Sequence, residues 1–313
     1  NKVNEILGGI VMNNIYDGLL EILDEKDIRK DETMRCHTSF KIGGTADFIV
    51  TPRTEKDIKK IVVFAKEMNI PLFIMGNGSN LLVRDKGIRG IVMKISDNFS
   101  EFSIEGNLVT AQSGILMSTI SKHILKASLK GFEFGSGIPG TIGGAVTMNA
   151  GAYDGEIKDV ITSVRVMDLD GNIFDFTNEE MNFGYRKSLV TEKKLIVISV
   201  TMELPKGDYS EIKAKIDDFT ERRTTKQPLK ALSAGSTFKR PEGNFAGKLI
   251  QEAGLKGIIM KEAAVSDLHS GFVINLGKAS CENILELIEF IKATVYSKFQ
   301  VMLEEEVKIV GEE

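Results

Sequence analysis

The sequence predicts an α+β protein of two or three packed units, and three observations carry that reading. Its 313 residues exceed the length over which one hydrophobic core keeps growing. Short apolar runs separated by turns fill the stretch from Pro71 to Leu204, and helical spacing takes over from Ser210 to Phe299.

In chain order, Asn4 to Leu23 carries Ile6, Ile10, Leu19, Leu20 and Ile22 at roughly helical spacing and reads as an amphipathic helix. Thr54 to Met68 reads as a second helix, opened by a capping-box-like Thr-Glu-Lys-Asp and burying Ile58, Ile61, Val62 and Ala65. Strands are expected at Pro71–Met75, Ile91–Ile95, Phe102–Ile104, Leu108–Ala111, Ile161–Met167 and Ile173–Phe176, with Asp170-Gly171 as a hairpin turn. After a strand at Leu195–Leu204 come helices at Ser210–Lys226, Asn244–Glu252 and Glu282–Phe299, with a boundary near Gly207. A last strand, Val307–Val310, is expected to pack back on an earlier sheet, and no internal repeat is visible.

The composition, 27% charged and 42% hydrophobic with 6 prolines, is that of a globular chain rather than a disordered one. A net charge of -4 gives no general attraction to nucleic acid or to an anionic membrane, so an anionic ligand needs a local basic cluster. Cys36 and Cys281 have no metal-type spacing and read as free thiols, with a single disulfide left open. Asn13, Asn14 and Asp17 interrupt the first helix, which fits neither a signal peptide nor a membrane span; a cytoplasmic location is expected.

Eight of the 30 glycines fall between Gly131 and Gly155, where an even spread would place about two or three. The run from Gly135 to Ala145 offers bare backbone that can bring amides to a ligand, with pyrophosphate the natural guest. Alone it reads equally as tight bends between strands. A second loop, Gly76-Asn77-Gly78-Ser79-Asn80, lies between two short apolar strands and adds another turn of amides. Neither loop has a P-loop ending or the strand–helix setting of a dinucleotide fingerprint.

Arg222 to Pro241 holds six basic residues, namely Arg222, Arg223, Lys226, Lys230, Lys239 and Arg240, and no acid. Such a run suits phosphate or carboxylate, although alone it also reads as a solvated helix face and loop. Ser233, Ser236 and Thr237 place hydroxyls inside it. His37, His123 and His269 sit in no metal or triad motif and read as structural, and Glu304 to Glu306 alone would be a solvated turn.

Taken together, seven blocks in order resemble the UDP-N-acetylenolpyruvoylglucosamine reductases (the UDP-N-acetylmuramate dehydrogenase or MurB family) from about His37 to Gly311. They are Thr38–Gly44, Gly76–Asn80, Gly135–Ala145 continued by Met148–Tyr153, Phe183–Ser188, Arg223–Pro228, Ala234–Lys239 and Leu303–Gly311. The resemblance implies an FAD-binding fold of the vanillyl-alcohol oxidase type, made of two α+β subdomains and followed by an α+β substrate-binding domain. The boundaries expected are 1–98 with terminal strand 304–313 packing back, 99–207, and 208–303.

It further implies non-covalent FAD held by Gly76, Asn77, Gly78, Ser79 and Asn80 and by Ser136, Gly137, Pro139, Gly140, Thr141, Gly143, Gly144 and Ala145. NADPH is implied as co-substrate, and UDP-N-acetylglucosamine enolpyruvate as the molecule reduced to UDP-N-acetylmuramate for peptidoglycan. By the same resemblance Ser236 is the proton donor, Arg186 and Glu306 stabilise the enolate-like intermediate, and Tyr185, Arg223 and Lys226 bind substrate. No nucleic acid, membrane or metal is implied, and a monomer is expected.

A guanidinium suits the charge pushed onto the substrate carboxylate, whereas an ionised Glu306 would repel it unless protonated or orienting another donor. Ser236, a weak acid, needs Lys226 or a water chain to restore its proton. The chain departs from the family pattern at His37, commonly asparagine, at Glu305, commonly proline, and at Lys308, commonly arginine. The rapid passage from Pro205 to the helix near Ser210 resembles the shorter-loop subclass. An alcohol-oxidising flavoenzyme of the same fold, or a binding module without turnover, is the alternative; the basic run with Ser236 weighs against the first, and the joint presence of Arg186, Ser236 and Glu306 against the second.

Overall fold

Apolar side chains three and four positions apart set the first layer. In the structure, a computed structural model describing residues 12–153 and 155–313, residues 12–20 are helical and Ile15, Leu19 and Leu23 are buried. Residues 4–11 of the expected first helix lie outside the described residues. The helix Glu55–Glu67 buries Ile58, Ile61, Val62 and Ala65. Its first turn is closed reciprocally: Asp57 N donates to Thr54 Oγ1 at 3.1 Å and Thr54 N to Asp57 Oδ2 at 3.0 Å.

This helix crosses over between the strands Thr45–Val50 and Leu72–Met75, both parallel to Ile88–Lys94 between them; Ile28–Thr33 completes the four-stranded sheet on the far edge. Phe48, Val50, Ile91 and Met93 meet the helices in one cluster.

The second sheet is antiparallel, in the order Ile173–Thr177, Ile161–Met167, Ile196–Glu203, Leu108–Gln112, Phe102–Glu105. The hairpin expected at Asp170-Gly171 is present: Met167 faces Ile173, Gly171 has φ +80°, and Asp168 Oδ1 accepts from Asp170 N and Asn172 N at 2.8 Å each. Val109, Val164 and Val200 pack against the helices Met117–Lys126 and Ile142–Thr147.

The second of these helices corrects the sequence reading, in which Gly135 to Ala145 ran as a loop among strands. Glu133–Gly137 is a 3-10 turn, and Thr141 caps the helix that holds Gly143, Gly144 and Ala145. Glycine disfavours helix, but here close packing overrides propensity, because a Cβ at Gly143 would lie 2.7 Å from Ser113 Cβ.

Residues 204–208 alone separate the strand Ile196–Glu203 from the helix Tyr209–Lys226. Beyond it, Ala246–Glu252 and Cys281–Phe299 pack with a three-stranded sheet, Ile259–Met260, Ala263–Val265 and Val273–Asn275, around Leu249, Ile284, Ile288 and Ile291. The terminal strand Lys308–Val310 returns to pair in parallel with Leu81–Val83. Among the described residues no helix is long and apolar enough to cross a membrane.

Candidate active site

The two glycine loops face each other across a cleft of about 310 Å³. Two of their glycines serve the approach of loop to loop. A Cβ at Gly76 would lie 2.4 Å from Thr141 Oγ1, and one at Gly140, where φ is +112°, 2.8 Å from Ser79 Oγ. Gly144 differs, since a Cβ there would meet nothing nearer than Thr141 Oγ1 at 3.6 Å and would project into open space. The rest of the wall is largely apolar, with Phe73, Ile95, Val190 and Val197 among its residues, and it includes the cations Lys194 and Lys308. Amides and small polar groups beside apolar surface suit a ligand that joins flat rings to a pyrophosphate, so these residues fit FAD.

All the residues expected to hold FAD line this cleft except Ser136 and Gly137. Those two turn elsewhere. Ser136 Oγ donates to Glu133 O at 2.8 Å, and Gly137 gives room to Arg223, whose Cδ would lie 2.7 Å from an added Cβ.

At the edge of the cleft, chain segments far apart in sequence converge on Glu306. Arg186 sits on a tight turn in which Gly184 and Lys187 exchange backbone hydrogen bonds of 3.1 and 3.3 Å, and its φ is +56°. Asn149, fully buried, holds that turn by donating from Nδ2 to Gly184 O at 3.2 Å and to Glu156 Oε2 at 2.8 Å. From there Arg186 Nε donates to Glu306 Oε1 at 2.6 Å. The Glu306 backbone is fixed twice, its N–H donating to Thr237 O at 2.8 Å and its carbonyl accepting from Asn80 Nδ2 at 3.1 Å. The backbone of Thr237 therefore brings its neighbour Ser236, solvent-exposed beside Gly235 at φ +78°, to the same region.

Burial dominates the electrostatics here. It raises the Glu306 carboxyl above the usual carboxylate range despite Arg186 and Lys239 nearby. It also lowers the pKa of Arg223, whose Nε is buried with no hydrogen-bond partner among the described residues, so this guanidinium is poised for an anion. Tyr185 stands half exposed; its hydroxyl accepts from Arg240 N at 3.0 Å and the Arg186 guanidinium lies 5.0 Å from its ring centroid. Lys226 is exposed at the end of the helix Tyr209–Lys226 and makes no hydrogen bond or ion pair among the described residues.

His37 is a buried structural residue, Nε2 lying 3.0 Å from Glu32 Oε1 and Nδ1 3.4 Å from Lys94 Nζ. Cys36 and Cys281 are free, and burial pushes the Cys281 thiol up to about 12. Two residues escape a reading by motif: Asn149 lies in a matched block but only its contacts reveal it as the support of Arg186, and Ser113 lines the cleft with no sequence signal at all. Lys308, noted in the sequence where arginine is common, lines it too.

Comparison with known proteins agrees with this geometry. Residues 227–310 match the family model described as UDP-N-acetylenolpyruvoylglucosamine reductase, C-terminal domain, and residues 46–177 match one described as FAD binding domain. The UDP-N-acetylenolpyruvoylglucosamine reductase of Clostridioides difficile (strain 630) is 56% identical over 304 residues, covering 96% of this chain and 100% of that protein. The enzyme of the same name from Alkaliphilus oremlandii (strain OhILAs) is 54% identical, covering 95% and 98%. The crystal structure of UDP-N-acetylenolpyruvylglucosamine reductase from Thermus caldophilus superimposes with a TM-score of 0.78 at 33% identity, covering 90% of this chain and 99% of that one.

Proposed function

Because the chain belongs to the UDP-N-acetylenolpyruvoylglucosamine reductase family, we propose that it is an FAD-dependent oxidoreductase that spends NADPH to reduce UDP-N-acetylglucosamine enolpyruvate to UDP-N-acetylmuramate. The product feeds peptidoglycan synthesis and, through the cell wall, cell shape and division. One observation carries the assignment of residues: the Arg186–Glu306 pair and the Ser236 segment meet at the edge of the glycine-loop cleft.

Bound FAD supplies hydride transfer from NADPH to the methylene carbon of the enolpyruvyl group. The protein's own residues then do the following. Arg186 offers its guanidinium to the substrate carboxylate, where charge accumulates, and Glu306 holds that guanidinium in place. Because burial raises its pKa, Glu306 takes up a proton more readily than an ordinary carboxylate, which reduces its repulsion of the developing charge. Ser236 gives the proton to the carbon beside the carboxylate, with Lys226 or water restoring it. Arg223, Lys226 and Tyr185 bind the anionic substrate.

The same proposal divides the chain into FAD-binding subdomains 1–98, with the terminal strand packing back, and 99–207 and a substrate domain 208–303; apolar clusters centred on Phe48, Val200 and Ile288 lie in the three parts, and Met167, Ile196, Phe40, Ile42 and Phe219 join them across the boundaries. It describes a cytoplasmic monomer, and the net charge of -4 supports the absence of a nucleic-acid partner. Stopped-flow absorbance tests it: NADPH should bleach the flavin, and the enolpyruvyl substrate should restore its colour. Bleached flavin that the substrate leaves unchanged would overturn the substrate assignment, and return of colour only with oxygen would favour an oxidase.

A further inference from the structure

Lys308 heads the terminal strand and is fixed by the cofactor loop itself, its N–H donating to Asn80 O at 2.9 Å. The same Asn80 holds the carbonyl of Glu306, two residues earlier, through its Nδ2 at 3.1 Å. Lys308 thus links the glycine loop to the end of the cleft where Arg186 and Glu306 meet, and it is one of the residues that line the cleft. The cleft is open, and Lys308 is exposed to water along it. Even so, the surrounding wall desolvates its ammonium and lowers its pKa, and no acidic group among the described residues offsets that effect. Lys194, the other cation of the cleft wall, sits at the left-handed C-cap of the helix Leu189–Lys193 and is not tied to the Glu306 segment in this way.

A partly desolvated cation without a counter-charge costs stability unless a ligand supplies the anion. Two anionic partners are available on FAD. Its pyrophosphate is charged in both redox states. Its ring system becomes more negative on reduction: NADPH gives up a hydride as its nicotinamide C–H bond breaks, NADP⁺ leaves, and the cofactor gains two electrons and one proton. Because Lys308 adjoins the groups assigned to the reacting end, the ring is the partner that the placement favours.

We infer that Lys308 is a redox-tuning residue, whose ammonium meets the negative charge that the FAD ring gains on reduction and so raises the reduction potential of the bound cofactor. The inference rests on FAD occupying the cleft, and it concerns a protein group next to the cofactor rather than the cofactor's own chemistry.

The test compares Lys308→Met, which keeps length and loses charge, with Lys308→Arg, which keeps charge. The readouts are the dissociation constant of oxidised FAD and the two-electron midpoint potential of the bound flavin. In Lys308→Met the reduced form should be held at least about tenfold more weakly relative to the oxidised form. For a two-electron couple, tenfold corresponds to a potential lower by about 30 mV. Lys308→Arg should stay near wild type.

An unchanged potential in Lys308→Met overturns the inference. With weaker oxidised FAD it assigns Lys308 to the pyrophosphate; with unchanged binding it leaves the residue no cofactor role. A fall in Lys308→Arg as large as in Lys308→Met also overturns it, since size and not charge would then matter. Failure of Lys308→Met to hold oxidised FAD at all, while Lys308→Arg does, likewise points to the pyrophosphate. Wild-type protein that binds no flavin would sink the FAD reading itself, a distinguishable result.

Discussion

Arg186 Nε lies 2.6 Å from Glu306 Oε1 although 120 residues separate them in the chain. The turn that carries Arg186 is held in a left-handed conformation and pinned by Asn149, and Glu306 is pinned by Asn80 and Thr237. Both partners are therefore positioned before substrate arrives, which is what stabilisation of developing charge requires. Arg186→Lys keeps the charge but loses the planar fork and its fixed bond to Glu306. Reoxidation of reduced flavin by substrate is expected to slow by about tenfold or more, with flavin reduction by NADPH affected less. Stopped-flow measurement of both half-reactions decides this, and wild-type rates in both would reduce Arg186 to a structural part of its turn.

The contact between the two glycine loops makes cofactor retention sensitive to a single methyl group. Gly76→Ala places a Cβ where Thr141 Oγ1 now stands 2.4 Å away, so the loops must part. Overpacking of this kind costs about 1–3 kcal/mol, and FAD should bind roughly 10- to 100-fold more weakly. Fluorescence titration of the apoprotein with FAD measures the effect, and thermal melts show how much falls on the fold. Among the described residues, the cleft wall contains no histidine or cysteine. The yellow protein should therefore release all its flavin to the supernatant on denaturation, and flavin left in the precipitate would contradict a non-covalent site.

Period and turn chemistry made the second sheet and its hairpin legible, because Ile161–Met167 and Ile173–Thr177 are apolar runs around an Asp-Gly turn. Ile28–Thr33 escaped notice because an edge strand carrying Arg29, Lys30, Asp31 and Glu32 has no apolar pattern to show. The helix Ile142–Thr147 was hidden by its two glycines, of which Gly143 is required by the close approach of Ser113 across the packing interface. Motif blocks named most of the candidate site. What they could not supply was the support: Asn149 under Arg186, the Thr237 carbonyl beneath Glu306, and the buried Nε of Arg223 are all set by long-range contacts.

Far from the site, Asp27 is buried and accepts from Arg53 Nε at 2.6 Å, Arg53 Nη2 at 2.8 Å and Asn98 Nδ2 at 3.1 Å, tying the chain before the first sheet to the chain that follows Val50 and Ile95. The hydrogen bond from Arg53 is the main reason its pKa lies below the ordinary value of 3.8. A lowered folded pKa stabilises the protein above the unfolded pKa, and that contribution is lost as pH falls from there through the folded pKa. Asp27→Asn is expected to cost about 1–3 kcal/mol at pH 7, a range kept low because Arg53 is partly exposed. Chemical denaturation at several pH values should show the gap between variant and wild type shrinking below about pH 4. A gap independent of pH would mean that packing, and not charge, explains the loss.

Ser236 is solvent-exposed, next to the Thr237 carbonyl that receives the Glu306 N–H at 2.8 Å. Ser236→Ala removes only the hydroxyl. The backbone ladder from Thr237 to Glu306 does not use it, so FAD binding and flavin reduction by NADPH should survive nearly intact. A positioned general acid contributes about 10² to 10⁴-fold, so reoxidation by the enolpyruvyl substrate should slow by at least about 10²-fold. Substrate affinity should change little, because the charged groups Arg186, Arg223 and Lys226 are untouched. Single-turnover reoxidation of pre-reduced enzyme, measured over a range of substrate concentrations, separates the chemical step from binding. A rate within about threefold of wild type would assign proton delivery to water or to Glu306, whose raised pKa makes it the next nearest source on the same backbone ladder.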